Sequence, residues 1–286
     1  MATTVTYKGA TLATVENQTK TLQTAGTWVE DDFTLTDVTQ GGGGISIDDI
    51  ATNAEPSGNI TLTVSSVGDH AFRNKMGILS LASDTVQTVG TASFLDCKGL
   101  VTVDLPNATN LGRESFAYCD NLTSVNVPNV TTLSGVNAFR ETGLQTIRLP
   151  KVTALNQTFF NSRSLMYVHI PLVTQLNNNN FNNCPISVFD LPSVGSINSN
   201  AFNNVADLRT LILRKNAVVT LAGWNVGTLG GIYSNPTAST IYVPQALLSS
   251  YQTASNWSSA YSAGVTFTAI EGSIYETQYA DGTVIS

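Results

Sequence analysis

Between residues 67 and 220, apolar side chains return every 21 to 23 positions. Phe72, Phe94, Phe116, Phe139, Phe160, Phe181 and Phe202 mark the period, and Pro106, Pro128, Pro150, Pro171 and Pro192 keep step with it. A fixed period of this length predicts a solenoid, in which each rung buries its apolar face against its neighbours. After Phe116 come Cys119, Leu122, Val125, Val127 and Pro128, and after Phe94 come Cys97, Leu100, Val103, Leu105 and Pro106 at the same offsets. Rungs opened at Phe139, Phe160 and Phe181 are one residue shorter before the strand, placing Leu144, Leu165 and Ile186, then Ile147, Val168 and Phe189.

The last apolar positions of each rung alternate, which reads as a short strand with two inward side chains. Proline directly after it ends the ladder, because it has no N–H to donate. Strands are therefore predicted near residues 101–105, 123–127, 146–149, 167–170, 188–191 and 210–213. All should be parallel in one ladder, since every rung repeats the same circuit. Leu111, Leu133, Leu155, Leu176 and Ile197 follow the prolines and open the next rung.

The ends read differently. Val5-Thr6-Tyr7, Leu12 to Val15 and Phe33-Thr34-Leu35 alternate around Lys8-Gly9, so residues 1–40 predict a small β module for attachment or oligomerisation. Gly41 to Gly44 make a flexible linker. Residues 45–66, with Ile60, Leu62 and Val64 alternating, predict an N-terminal cap, and residues 67–220 a solenoid of about seven rungs. Residues 221–286 predict a C-terminal cap and tail. There Ile241 and Val243 form a strand, Pro244 starts a short helix, and Leu247, Leu248, Tyr251 and Trp257 make a lid.

Charged residues are only 12% of the chain, with 13 Lys and Arg against 20 Asp and Glu and a net charge of −7. No basic stripe is present to neutralise phosphates, which argues against nucleic acid as a partner. No apolar run reaches the length of a membrane span, so membrane insertion is not expected. The start, MATTVTYKGA, has neither the basic nor the apolar stretch of an export signal. Cys97, Cys119 and Cys184 each lie three residues after a Phe, and read as small core residues rather than as a disulfide or zinc set.

The pattern A-F-x-x-C-x-x-L-x-x-V-x-V-P resembles the BspA-like leucine-rich repeats of bacterial surface proteins and of phage or prophage virion proteins. Ala71-Phe72, Ala138-Phe139 and Ala201-Phe202 keep its first pair, while Lys75, Thr142, Arg163 and Val205 stand in place of Cys. The resemblance implies a mainly β, right-handed solenoid with short helical or 3-10 turns. Residues 1–40 are similar to N-terminal modules of phage tail and baseplate accessory proteins. That likeness implies a virion tail protein, bound to other tail proteins or to a second copy through residues 1–40. It would present its repeats to a host cell-surface protein or glycan. A bacterial cell-surface adhesin of the same family is the alternative.

Nothing in the residue pattern forms a catalytic or cofactor site. His70 precedes a rung corner and His169 lies on a strand, without nucleophile-elbow or metal-ligand spacing. Asp31-Asp32 and Asp48-Asp49 lack the further oxygen ligands of a calcium loop. The run Asn177 to Asn180 with Asn182 and Asn183 reads as turns and side-chain ladders ahead of a glycan patch. Chemistry is thus left to the outward column Asp104, Asn126, Arg148, His169, Asp190 and Ile212, and to its neighbour Thr102, Ser124, Thr146, Tyr167, Val188 and Thr210. Arg148, Tyr167 and His169 at its centre, with Asn126 and Asp190, are the candidate partner-binding residues, of types favoured at hot spots.

Overall fold

In the computed structural model of the protein, the described residues are 58–177, 179–280 and 282, together with the backbone of Ala2–Tyr7, Ala10–Glu16 and Phe33–Thr36. Two units divide the chain, Met1–Leu144 and Gln145–Ser286. In the first, the alternation read from the sequence forms four strands, Gly58–Leu62, Ile78–Ala82, Thr102–Asp104 and Ser124–Asn126, paired parallel in that order. Leu81 and Val103 share an inward register and are 1% and 2% exposed. Thr102, Asp104, Ser124 and Asn126 face solvent.

A second parallel ladder, not foreseen from the sequence, runs through Ser66–Val67, Thr88–Val89, Asn110–Gly112 and Thr132–Ser134. Val67, Val89 and Leu111 form its inward column. Leu111 and Leu133, expected to open rungs, are therefore strand residues themselves. Two or three residues are enough to pair, because stacked rungs offer main-chain partners at strand spacing on any side that runs extended. At the N-terminus, Ala2–Tyr7 pairs antiparallel with Ala10–Glu16 and with Phe33–Thr36. Phe33–Thr36 in turn lies parallel to Gly58–Leu62. The four-glycine linker, Asp31-Asp32 and Asp48-Asp49 lie outside the described residues.

The second unit repeats the plan. Thr146–Arg148 pairs parallel with Tyr167–His169, and Val188–Leu191, Thr210–Leu213, Thr240–Val243 and Thr266–Ala269 form a further parallel set. Gln175–Leu176, Ser196–Ile197 and Thr220–Leu221 make the second ladder. The predicted strands are thus found, in several parallel ladders instead of one.

The phenylalanine corner has its own main-chain ladder. The N–H groups of His70, Phe72 and Asn74 donate to the carbonyls of Thr91, Ser93 and Leu95, at 2.8, 2.7 and 2.8 Å. Ala92, Phe94 and Asp96 repeat this onto Arg113, Ser115 and Ala117. Glu114, Phe116 and Tyr118 repeat it onto Val136, Ala138 and Arg140. To aim alternate N–H groups along the stack, the residues two before and two after each buried Phe of this corner adopt positive φ. His70 and Asn74 flank Phe72 at 59° and 61°, and Asn179 and Asn183 flank Phe181 at 58° and 59°. Between them the rings stack nearly flat, Phe72 on Phe94 at 4.9 Å and Phe94 on Phe116 at 5.3 Å.

This geometry corrects one rung. Phe159, not Phe160, is the fully buried ring, stacked 5.7 Å from Phe181, and Gln157 and Asn161 are its positive-φ neighbours. Phe160 is half-buried. Counted from Phe159, the position equivalent to Cys is Ser162, fully buried, and not Arg163. The sequence pattern misled because both phenylalanines fit an irregular period.

Of the four residues predicted for the C-terminal lid, the two aromatic ones pack into the core. Tyr251 and Trp257 are fully buried, the Tyr251 hydroxyl accepts from the Val219 N–H at 2.9 Å, and Trp257 Nε1 donates to the Val219 carbonyl at 2.6 Å. Leu247 and Leu248 are only half-buried. Pro244 precedes a 3-10 turn, Gln245–Leu247, and the helix Leu248–Thr253 follows. An additional helical segment, Val226–Ser234, is capped by Asn225 and bends at Gly230. Gly230 lies at φ 50°, where an added Cβ would meet the Val205 carbonyl oxygen at 2.6 Å.

Two stability measurements check this account. Phe159→Ala should cost about 3–5 kcal/mol, the usual loss for a buried Phe, while Phe160→Ala should cost much less. Equal losses in urea melts would return the rung to Phe160. Gln157, at φ 49°, occupies a conformation that Asn tolerates better. Gln157→Asn should raise stability by about 0.5–1 kcal/mol, and a lower melting temperature would contradict the strain.

Candidate binding faces

The outward strand column does not form one uniform surface. Asn126 belongs to the first unit, is exposed, and donates through its amide to Asp104 Oδ1 at 2.7 Å. Ser80 Oγ donates to Asn59 Oδ1 at 2.7 Å in the same sheet. In the second unit Arg148 and Thr146 pair in register with His169 and Tyr167, so three of the predicted residues do come together on adjoining rungs. Arg148 is exposed, Tyr167 is 36% exposed and His169 is half-buried.

Asp190 corrects the sequence reading. It is 7% exposed, and Arg214 grips its carboxylate with two nitrogens, Nε to Oδ1 and Nη2 to Oδ2, both at 2.7 Å. Burial pushes the carboxyl above its ordinary pKa, and the Arg214 guanidinium offsets only part of that. Ile212, also assigned outward, is fully buried. The cause for Asp190 is the chain itself: residues 275–280 return across this face. Arg214 donates to the carbonyls of Tyr275 and Gln278, Asp190 Oδ2 accepts from the Ala280 N–H at 3.2 Å, and the Tyr279 ring packs edge-on to His169 at 4.9 Å. A shallow groove remains, lined by Tyr167, His169, Val188, Asp190, Pro192 and Tyr279.

Sequence reasoning missed Arg214, although a signal existed. The register sets it opposite Pro192 on one side and Pro244 on the other, so an arginine stands where neighbouring rungs carry proline.

The asparagine run behaves as turn chemistry. Asn179 and Asn183 supply the positive-φ pair, and Asn183 Nδ2 donates to Asn161 Oδ1 at 2.6 Å across the rungs. Similar amide-to-carbonyl bonds link Asn107 to Asp84, Asn129 to Pro106 and Asn121 to Lys98, each at 2.7 Å.

The cysteines take the core places expected of them. Cys97, Cys119 and Cys184 are free and buried, and their thiols donate to the carbonyls of Phe72, Phe94 and Phe159 at 2.9, 3.1 and 3.1 Å. Each thiol thus serves the Phe of the rung before its own. Among the described residues no group of three or more His, Cys, Asp or Glu could hold a metal ion, and no helix is long and apolar enough to cross a membrane.

The model of the BspA-type leucine-rich repeat region matches in six copies, over residues 56–167 and 153–224, more than half the chain. This chain belongs to that family. Solved structures similar to it include a leucine-rich cell surface protein of Faecalibacterium prausnitzii, 20% identical, with a TM-score of 0.39. The match covers 58% of this chain and 56% of that one, so this chain spans little more than half the relative's length. A leucine-rich repeat protein of Bacteroides ovatus is 15% identical, with a TM-score of 0.39 over 84% of this chain and 78% of that one. The pneumococcal vaccine antigen PcpA is 11% identical, with a TM-score of 0.30 over 85% and 95%. No curated protein matches the chain.

The buried donor of this BspA-type rung has a measurable signature. Burial raises the Cys97 and Cys184 thiols from the ordinary 9.0 to about 12, and raises Cys119 well above it. A group that keeps its proton in the fold but loses it when unfolded stabilises fully below the unfolded pKa, and less as pH rises towards the folded one. Stability should therefore decline from about pH 9 towards 12, and replacing the three cysteines by alanine should flatten that decline. Native protein should leave all three thiols unlabelled by a disulfide reagent at pH 8 until it is unfolded. Rapid native labelling would contradict the burial.

Proposed function

We propose that this chain is a non-enzymatic binding protein that presents its strand faces to a partner protein or glycan at a bacterial surface. The observation that carries this reading is the open, largely uncharged sheet face of the first unit, built on rungs of the BspA-type family. Thr102, Ser124 and Asn126 offer hydroxyl and amide groups at strand spacing, and the Asn126–Asp104 and Ser80–Asn59 bonds hold side chains in place beforehand. Preorganised groups lower the ordering cost of association. Arg148, Tyr167 and His169 add a mixed aromatic and cationic edge in the second unit, whereas Asp190 is engaged by Arg214. The three cysteine thiols do not favour catalysis, since they are buried against carbonyls.

A virion tail protein is the second reading. It rests on the antiparallel N-terminal strands, which extend the first unit's sheet and would supply the contact with other tail proteins or a second copy. Antibodies against residues 58–280 should label intact producing cells if the surface reading holds; labelling confined to phage particles would select the tail reading. Beads coated with the chain should adhere to members of a panel of intact bacterial and animal cells. Thr102→Arg with Ser124→Arg should cut that adhesion at least tenfold with an unchanged melting curve, and unaltered adhesion would remove this face from recognition.

A further inference from the structure

Arg214 is a departure that the repeat does not need. Proline serves the same position at Pro192 and Pro244, and a buried ion pair costs desolvation that an apolar pair avoids. What the Asp190–Arg214 pair does is bind main chain. Two Arg214 nitrogens reach the Tyr275 and Gln278 carbonyls, and one Asp190 oxygen receives the Ala280 N–H. Two side chains of the strap add ring contacts: Tyr279 packs edge-on to His169 with the Arg214 guanidinium carbon 5.3 Å from its ring, and Tyr275 packs edge-on to Tyr242 at 4.8 Å.

The strap itself contributes no core. Among the described residues Ile270 is the last that is buried, none from Glu271 to Ala280 is buried, and Ile274 is 68% exposed. Gly272 at φ 79° turns the chain ahead of the strap, with nothing within 4 Å of an added Cβ and its N–H donating to Glu276 Oε2 at 2.9 Å. A segment held by side-chain-to-backbone bonds and two ring contacts, with none of its residues buried, is bound as a tethered ligand is.

We infer that the Asp190–Arg214 pair centres a docking site for a turn-forming, tyrosine-bearing segment of a partner protein, and that residues 274–280, which begin with the 3-10 turn Ile274–Glu276, are a built-in competitor occupying it. The inference deepens the binding-protein reading, and rests on it, by naming a partner chemistry for the second unit. It reads two carbonyls, one N–H and two aromatic rings, the pattern by which main-chain contacts supply affinity and side-chain contacts supply choice.

The test uses the full chain and a fluorescent synthetic peptide of residues 274–280. Tyr279→Ala should loosen the strap without touching the core, so the peptide should bind that variant at least tenfold more tightly than the unsubstituted chain. Adding Arg214→Lys, which keeps the charge but loses the planar fork, should remove at least tenfold of the gain. No binding to Tyr279→Ala with an unchanged melting curve, or equal binding to Arg214→Lys, would overturn the site. A dimer that grows with concentration and dissolves on adding peptide would assign the groove to a second copy and overturn the foreign partner. None of these outcomes bears on Thr102 and Ser124, so adhesion through the first unit stands or falls separately.

Discussion

Everything in these rungs depends on main-chain hydrogen bonding along the stack at the phenylalanine corner. Strands pair with neighbours by default, but a chain that turns sharply would leave its N–H and C=O groups buried and unpaired, at a cost of about 1–3 kcal/mol each. The pair of left-handed residues around each Phe solves this by pointing alternate N–H groups at the next rung. With the corner paired, the Phe rings are held a fixed distance apart and stack. The inward Leu and Val columns then close around them. The cost is backbone strain at two residues per rung, which Asn bears best.

That constraint explains the composition better than surface chemistry does. Asn74, Asn137, Asn161, Asn179, Asn183, Asn200 and Asn204 all sit at left-handed positions, so much of the asparagine is spent on turns. Other asparagines reach carbonyls one rung away. Low charge follows from the same economy, because a side chain between stacked neighbours meets its own kind every rung, and like charges there would repel.

Period and alternation made the strands, the core columns and the lid legible. The second ladder was not, since its strands are two or three residues long and carry one inward side chain each. The exchange of Phe160 for Phe159 shows the limit of counting: two adjacent rings fit the period, and only the left-handed pair at Gln157 and Asn161 distinguishes them. At the binding face, Arg148, Tyr167 and His169 were legible as an outward column. Asp190 was not, because its burial comes from residues 85 to 90 positions away, and nothing local to its rung announces them. The arginine in the proline column was a visible anomaly whose meaning required the returning chain.

The thiol that donates to the preceding rung's carbonyl gives the stack a direction. Each of the three Cys-bearing rungs lends a proton backwards, so its fitness is judged by its neighbour's backbone as well as its own core. Removing a whole period from the gene splices equivalent edges and leaves every lender beside a borrower. Removing a single codon shifts the lender off its carbonyl and breaks the left-handed pairing as well. Lineages carrying such rungs should therefore differ in length by whole periods, while insertions of one or two residues gather in the prolonged turns after the strands.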